Sequence, residues 1–331
     1  MLPIFFSAVR LPSNHSAMNI TVLLEGRAGH EKQSLAIVRE LQQLTEVSVQ
    51  EISLPAIGIA GRLMECLSIM FGGGHVHDRA TASVDLFLGT GSRTHLALLG
   101  YKKKYKKPIV TCMAPEPFIR RWFDLCCVPR HDSLVPGENI FFTDGPPVLA
   151  GPELKRDPSK GLILVGGIDE RSHVWHDNEI VHKIEEIISS RQDVCWSVSS
   201  SPRTPSQTVD LLKKSEKVLS NMKVFPFQET VRGWVEEQYA QSTYAWVTAD
   251  SISMVYEAIT AGCRVGVVPV KWLNARNKFQ RSLDYLQQCR FIVMYSDKDV
   301  NNLDNVDAGN FNEARRCAIE ILNRFFPELM K

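Results

Sequence analysis

Short apolar runs alternate with stretches of helical period along nearly the whole chain. "ITVLLEG" (20–26) is a β-rich run that ends on turn residues, and the stretch from about His30 to Leu44 repeats apolar positions at helical spacing. "VSVQEISL" alternates as a strand does, while "DLFLGTG" (85–91), "PIVTCMA" (108–114) and "FDLCCVPRHD" (123–132) are continuous apolar runs closed by turn residues. Continuous apolar strands separated by helices are the mark of a parallel sheet covered on both faces.

The alternation breaks once, at "TDGPPVLAGPELKRDPSKG" (about 143–160), where Pro, Gly and charge concentrate as in a linker. It then restarts with "GLILVGG" (161–167), a helix near 178–191, "VCWSVSSS" (194–201), a helix near 205–219, "MKVFPF", "AWVTAD" (245–250), a helix from 251 and "RVGVVPV" (264–270). The expected fold is α/β: two Rossmann-like domains facing a central cleft. Residues 1–17 read as a flexible N-terminal extension, or the product of an upstream start. An N-terminal domain over 18–150 and a C-terminal domain over 151–310 follow. The helix in 311–331 has the pattern to pack back across the junction.

A length of 331 residues suits two domains of about 150 each. The composition, 44% hydrophobic and 23% charged, is that of a soluble globular protein, and a formal charge of +1 argues against a nucleic-acid partner. No apolar run reaches the roughly 18 to 20 residues that a membrane span needs. The eight cysteines form no C-x-x-C pair and most lie in apolar surroundings, which suits a reducing cytosol better than a zinc site or a disulfide framework. The expected location is therefore cytoplasmic.

Ligands of open parallel sheets bind beyond the carboxyl ends of the strands, so the loops after strands are the places to look. Gly166 and Gly167 end a strand and would let a ligand approach the backbone, although glycines there also make an ordinary turn. Ser199, Ser200, Ser201, Arg203 and Thr204 precede a helix whose start reads as a capping box (Thr204 to Gln207, with Pro205 first in the helix). Together they could cradle a phosphate or diphosphate, or simply be a capped surface loop. In "VTADSISMVYEA", Asp250 or Ser251 would cap a helix; Ser253 and Glu257 share one face of it at i and i+4. Glu257 lies beyond the first turn, where a carboxylate gains little from the helix dipole, and it could accept hydrogen bonds from two adjacent sugar hydroxyls.

In the first half, "EGRAGHEKQ" would bring Glu25, Gly29, His30 and Gln33 to the cleft, with His30 the candidate general base. "GTGSRT" sets Gly89 and Gly91 between a strand and a helix but lacks the third glycine of a dinucleotide fingerprint. Glu116 and His131 could line an acceptor site or decorate the surface. "YKKKYKKP" (101–108), with the apolar stretch 56–73, could touch an anionic membrane, making the protein peripheral on its inner face. No paired-carboxylate metal motif is present, so no metal site and metal-independent chemistry are expected.

The motifs "EGRAGHEKQ", "GTGSRTH", "FDLCCVPRHD", "LVGGIDERSHVW", "SSSPRTP" and "VTADSISMVYEAITAG", in this order from about Met18 to Val270, resemble the ELM1-like family. That family is known from bacteria and from a plant mitochondrial-fission protein, and it is similar to glycosyltransferases of the GT-B fold. The resemblance implies a nucleotide-sugar donor, UDP-linked in the first instance, and no further cofactor. Ser199 to Arg203 would meet the diphosphate, with Ser251 and Ser253 near it and Glu257 on the ribose diol. A saccharide or lipid-linked acceptor of the cell envelope would enter from the N-terminal side. Glu25, Pro202 and Ala249 depart from the residues expected at those positions. A nucleotide-sugar epimerase of the same fold and a non-enzymatic membrane-associated scaffold are the alternatives.

Overall fold

Met18–Leu24 (β1) buries Ile20, Val22 and Leu23, and it sits between Val47–Ser53 (β2) and Leu86–Gly89 (β3), parallel to both. The structure, a computed structural model, describes residues 17–55, 83–132, 134–149, 156–274, 277–296, 302–307 and 311–330. The expected extension up to residue 16 and the apolar stretch 56–73 lie outside the described residues. Ile109–Thr111 (β4), Leu125–Pro129 (β5) and Ile140–Thr143 (β6) complete a parallel sheet of order β2-β1-β3-β4-β5-β6. Ala28–Leu44 (α1), Ser92–Tyr105 (α2) and the single turn Pro117–Arg120 (α3) connect these strands.

The second half is built on the same plan. Asp157–Leu164 (β7), Cys195–Ser199 (β9), Met222–Phe225 (β10), Ser242–Thr248 (β11), Arg264–Val268 (β12) and Ile292–Met294 (β14) make a parallel sheet of order β10-β9-β7-β11-β12-β14. A two-stranded antiparallel pair, His173–Val174 (β8) and Lys271–Trp272 (β13), lies apart from it. The helices are Asp177–Ser190 (α4), Ser206–Glu216 (α5), Trp234–Gln241 (α6), Ile252–Thr260 (α7) and Lys278–Gln288 (α8). Each sheet is apolar on both faces and separates two layers of core: Leu88 and Val110 face one way and Phe87 and Ile109 the other, as Leu162 and Val247 are opposed to Ile163 and Trp246. This is an α/β protein of two Rossmann-like domains. No helix among the described residues is long and apolar enough to cross a membrane.

The last helix, Glu313–Phe325 (α9), returns to the first half of the chain. Its Ala314, Cys317, Ala318, Ile321 and Leu322 are buried with Val22, Ile37 and Leu41, and each large aliphatic side chain so buried stabilises by about 1.5 to 3 kcal/mol. Asn312 caps it by accepting from the Arg315 amide (2.8 Å) and donates to Glu40 (2.9 Å). Where the chain leaves β6, Asp144 ties several elements together. Its carboxylate accepts from Arg130 (2.8 Å), Tyr285 (2.7 Å) and Arg316 (3.2 Å), its carbonyl accepts from Tyr256 (3.2 Å), and its amide donates to Glu313 (3.1 Å).

Two local expectations are corrected. Thr204 does not cap α5: the helix starts at Ser206 after Pro205, and the Thr204 hydroxyl bonds instead to the carbonyls of Val165 (3.0 Å) and Gly166. Neither Asp250 nor Ser251 caps α7 through its side chain, because both point to neighbouring loops. A hydroxyl or carboxylate that can reach a second loop is worth more there than on its own helix, whose first amides can be served otherwise.

Candidate functional site

In each sheet the strand order reverses at one place, between β1 and β3 in the first and between β7 and β11 in the second. The crevice beyond the carboxyl ends of the two strands at such a reversal is where open α/β sheets hold ligands. Here the loops after β1 and β3 carry Glu25 to His30 and Thr90 to Arg93. The loops after β7 and β11 carry Gly166, Gly167, Asp250 and Ser251.

On the first wall, Glu25 is fully enclosed and its carboxylate accepts from the His30 ring Nδ1 at 2.5 Å and from the Arg93 amide at 3.0 Å. A carboxylate partner fixes the proton on Nδ1, which leaves Nε2 of the neutral ring with a free lone pair. About a quarter of the His30 side chain is exposed, so this nitrogen can be reached. Gly91 is required beside this pair. Its φ is +106°, and a Cβ there would come within 2.3 Å of the Glu25 carboxyl carbon. Gly89 packs against Thr94 and Leu23 at the end of β3. Behind the pair, Ser34 and Thr90 share a buried hydrogen bond of 2.8 Å.

On the opposite wall the loops are knitted more tightly. Ser201 donates to the Gly166 carbonyl (2.8 Å), Ser199 to the Phe225 carbonyl (3.0 Å), and Ser200 accepts from the Phe227 amide (3.0 Å). A Cβ on Gly167 would lie 2.0 Å from the Arg203 carbonyl oxygen, and one on Gly166 would strike Asp250 and Ser251, so only glycine allows the three loops to meet. The Arg203 guanidinium donates to Asp250 (2.9 Å) and Ser251 (3.3 Å), and the Gly167 amide donates to Asp250 (3.1 Å). Asp250 is enclosed, with its Oδ1 lacking a hydrogen-bond partner, whereas 43% of the Arg203 side chain is exposed. The result is a cation at the N-terminal end of α7, where the free amides of a helix also favour an anion.

A cavity of about 350 Å³ lies between α1 and α7. Gly29, His30, Lys32 and Gln33 of α1 line one side, Ser253 and Glu257 of α7 the other, with Glu236 and Tyr239 of α6 and the linker residues Pro146 to Leu149. Burial pushes the Glu257 carboxyl above its ordinary range; Lys32 opposes the shift, Glu236 adds to it and Tyr239 opposes it. Lys32 and Glu236 reach across the cleft to within 3.7 Å of each other.

The site residues expected from the sequence thus fall into groups. His30, Gly29, Gln33, Ser253 and Glu257 share the cavity; Glu25 and Gly91 lie behind His30; Gly166, Gly167, Ser199 to Ser201, Arg203, Thr204, Asp250 and Ser251 form the loop cluster at the head of α7. Glu116 and His131 do not line the cavity. Glu116 accepts from the buried His95 (3.3 Å), whose ring burial pushes below the usual histidine range. His131 is likewise lowered, first by burial, with Asp132 opposing and Lys278 and Arg281 adding to the effect. Nothing in the sequence points to Lys32, Glu236 or Tyr239, and "TDGPPVLAGPELKRDPSKG" reads there as a linker with no part in a site; a lysine one turn into a helix carries no signal.

Solved structures of this architecture span both chains almost fully. The chain is similar to a candidate UDP-N-acetylglucosamine 2-epimerase from Listeria monocytogenes, at 12% identity and a TM-score of 0.56 over 93% of this chain and 95% of that one. It is also similar to the glycosyltransferase SnogD from Streptomyces nogalater, at 10% identity and a TM-score of 0.50 over 94% and 96%. At such identities the likeness concerns the fold, which is that of GT-B proteins. No curated protein matches the sequence. The family described as mitochondrial fission ELM1 matches residues 28–325, nearly the whole chain, and the protein belongs to that family.

Proposed function

We propose that the protein is a glycosyltransferase that moves a sugar from a nucleotide-sugar donor, UDP-linked, to a saccharide or lipid-linked acceptor of the cell envelope, working from the cytoplasmic side. The observation that carries this is one cavity lined by His30 of α1, whose ring is held by the Glu25 carboxylate, and by Ser253 and Glu257 of α7, the helix at whose N-terminal end the Arg203–Asp250 pair lies. The nucleotide ribose would place its two hydroxyls on Glu257, with Ser253 one turn nearer the diphosphate. Arg203 and the α7 amides would face the diphosphate.

In the transfer step, His30 Nε2 takes the proton of an acceptor hydroxyl as its oxygen bonds to the anomeric carbon. The bond from that carbon to the diphosphate oxygen breaks, and the nucleoside diphosphate leaves with the electron pair. Charge grows on the leaving oxygen, where Arg203 and the helix amides would stabilise it; such fixed dipoles are often the largest catalytic contribution. Glu25 is a positioning residue, holding the proton on Nδ1 and stabilising the imidazolium that forms.

Release of UDP from UDP-sugars in the presence of saccharide and polyprenyl-phosphate acceptors tests this. Acceptor-dependent release that falls by roughly 10²- to 10⁴-fold in His30→Ala, with nucleotide binding kept, is the expected result. Acceptor-independent release of free epimerised sugar would assign the epimerase reaction instead. Nucleotide binding with no turnover of any donor would contradict an enzymatic role.

A further inference from the structure

His173, on β8, is a buried imidazole that the transfer step leaves unused. The Trp175 and Trp272 rings stand edge-on to it, their centres 6.1 and 5.8 Å away. Its place is set by the antiparallel pair β8 and β13, where His173 is opposite Trp272 and the Leu273 amide donates to the Ser172 carbonyl (3.0 Å). Both indoles are anchored in turn: Trp175 donates to Thr208 of α5 (3.0 Å) and Trp272 to Gln280 of α8 (2.7 Å). A ring bedded between two side chains that are themselves fastened to helices has little freedom to turn.

Both ring nitrogens are engaged. Nε2 lies 2.9 Å from the Gly167 carbonyl, which can only accept, so this nitrogen carries a proton and donates. Nδ1 meets the Ser172 hydroxyl at 2.7 Å. The Gly167 carbonyl belongs to the same peptide unit as the Ile168 amide, and that amide donates to the Arg203 carbonyl (3.1 Å). A peptide unit is planar, so it cannot swing its carbonyl away from His173 without also swinging its N–H away from Arg203. On the other side, the Gly167 amide donates to Asp250 (3.1 Å), the carboxylate that accepts from the Arg203 guanidinium (2.9 Å). Arg203 is thus held at its backbone and at its charged end by the two peptide units that flank the Gly167 Cα. His173 is the side chain that fixes one of them.

We infer that His173 is a positioning residue of the anion site: it holds the Gly167–Ile168 peptide and, through it, aims Arg203 at the diphosphate. Cationic groups bind well only when a supporting shell fixes them in place. The inference rests on the role proposed for Arg203.

The dissociation constants of UDP and of uridine test it, because only UDP carries the anion that Arg203 would meet. His173→Phe keeps a ring between the two tryptophans and removes the hydrogen-bond donor. It should weaken UDP by roughly tenfold or more and leave uridine as in the wild type. His173→Gln, whose amide nitrogen can donate in place of Nε2, should recover most of the loss. His173→Met, similar to glutamine in length but without a donor, should behave as His173→Phe does, and it makes the same comparison should the phenylalanine variant not fold. UDP affinity unchanged in the variants that lack the donor, equal losses for UDP and uridine, or no recovery in His173→Gln would overturn the inference while leaving Arg203 its role. A wild type that binds UDP no better than uridine, or whose preference for UDP survives Arg203→Ala, would remove that role and the inference with it.

Discussion

Glu257 occupies the second turn of α7, beyond the reach of the helix's positive end, and is still drawn into an apolar cleft wall. Burial favours its neutral form, so the folded-state pKa lies above the unfolded one. The sign follows: whatever stability the neutral form gives is present at low pH and is lost as pH rises through the raised pKa. At pH 8 the carboxylate therefore costs stability, and Glu257→Gln should melt at or above the wild-type temperature. A residue kept for stability would do the opposite. The same substitution should weaken nucleotide binding by roughly 10- to 100-fold, the loss expected when a charged acceptor of ribose hydroxyls is removed. Wild-type affinity should rise with pH above the ordinary glutamate range more steeply than that of the variant, in which only the nucleotide's own terminal phosphate, with a pKa of about 6, adds charge; thermal melts and titrations at pH 5 and 8 check both. A variant that melts lower and binds as well as the wild type would make Glu257 structural.

Glu257 was legible in the sequence because its position in a helix already spoke against a capping role. The same reasoning found Glu25 and His30 separately, but their contact depends on the turn after β1 and on the approach of Gly91 from β3, which no local pattern encodes.

At the scale of elements, the apolar runs mark most strands well, because a strand buried on both faces leaves a continuous signature. β6, the short run "IFFT" just before the stretch read as a linker, goes unmarked, and the start of β7 falls inside that stretch, since Pro, Gly and charged neighbours mask short runs. Helix starts are less legible for the reason seen at Thr204 and Ser251: polar side chains that resemble caps tie loop to loop, Thr204 to the Val165 carbonyl and Ser251 to the Arg203 guanidinium. The strand–glycine–helix turn after β3 is a comparable case. Gly91→Ala must adopt an unfavourable φ and displace the enclosed Glu25 carboxylate, a cost of about 2 to 4 kcal/mol. It should lower the melting temperature by several degrees and, by releasing His30, abolish acceptor-dependent turnover. Unchanged stability would show that the Glu25 carboxylate is free to move.

At the scale of the whole molecule, the two six-stranded parallel sheets differ in strand order, yet the helices that follow β1 and β11 at their reversals, α1 and α7, line one cavity together. α9 and the Asp144 cluster join the halves: a helix from the end of the chain completes the first core, and residues of α8, α9 and the β5–β6 region all bond to one carboxylate beside the linker that forms part of the cavity wall. Convergence of this kind lies beyond a single sequence, because it depends on crossings between residues more than a hundred positions apart. What the sequence could show was the order of strands and the residue types at their carboxyl ends.

The central claim is that a nucleotide binds against Glu257. Calorimetric titration of UDP, GDP, ADP and CMP into the wild type and Glu257→Ala tests it most directly. Binding of UDP, tightest of the four and lost or much weakened in the variant, is the expected result. No binding of any of the four to the folded wild type, or binding that Glu257→Ala leaves unchanged, would contradict it.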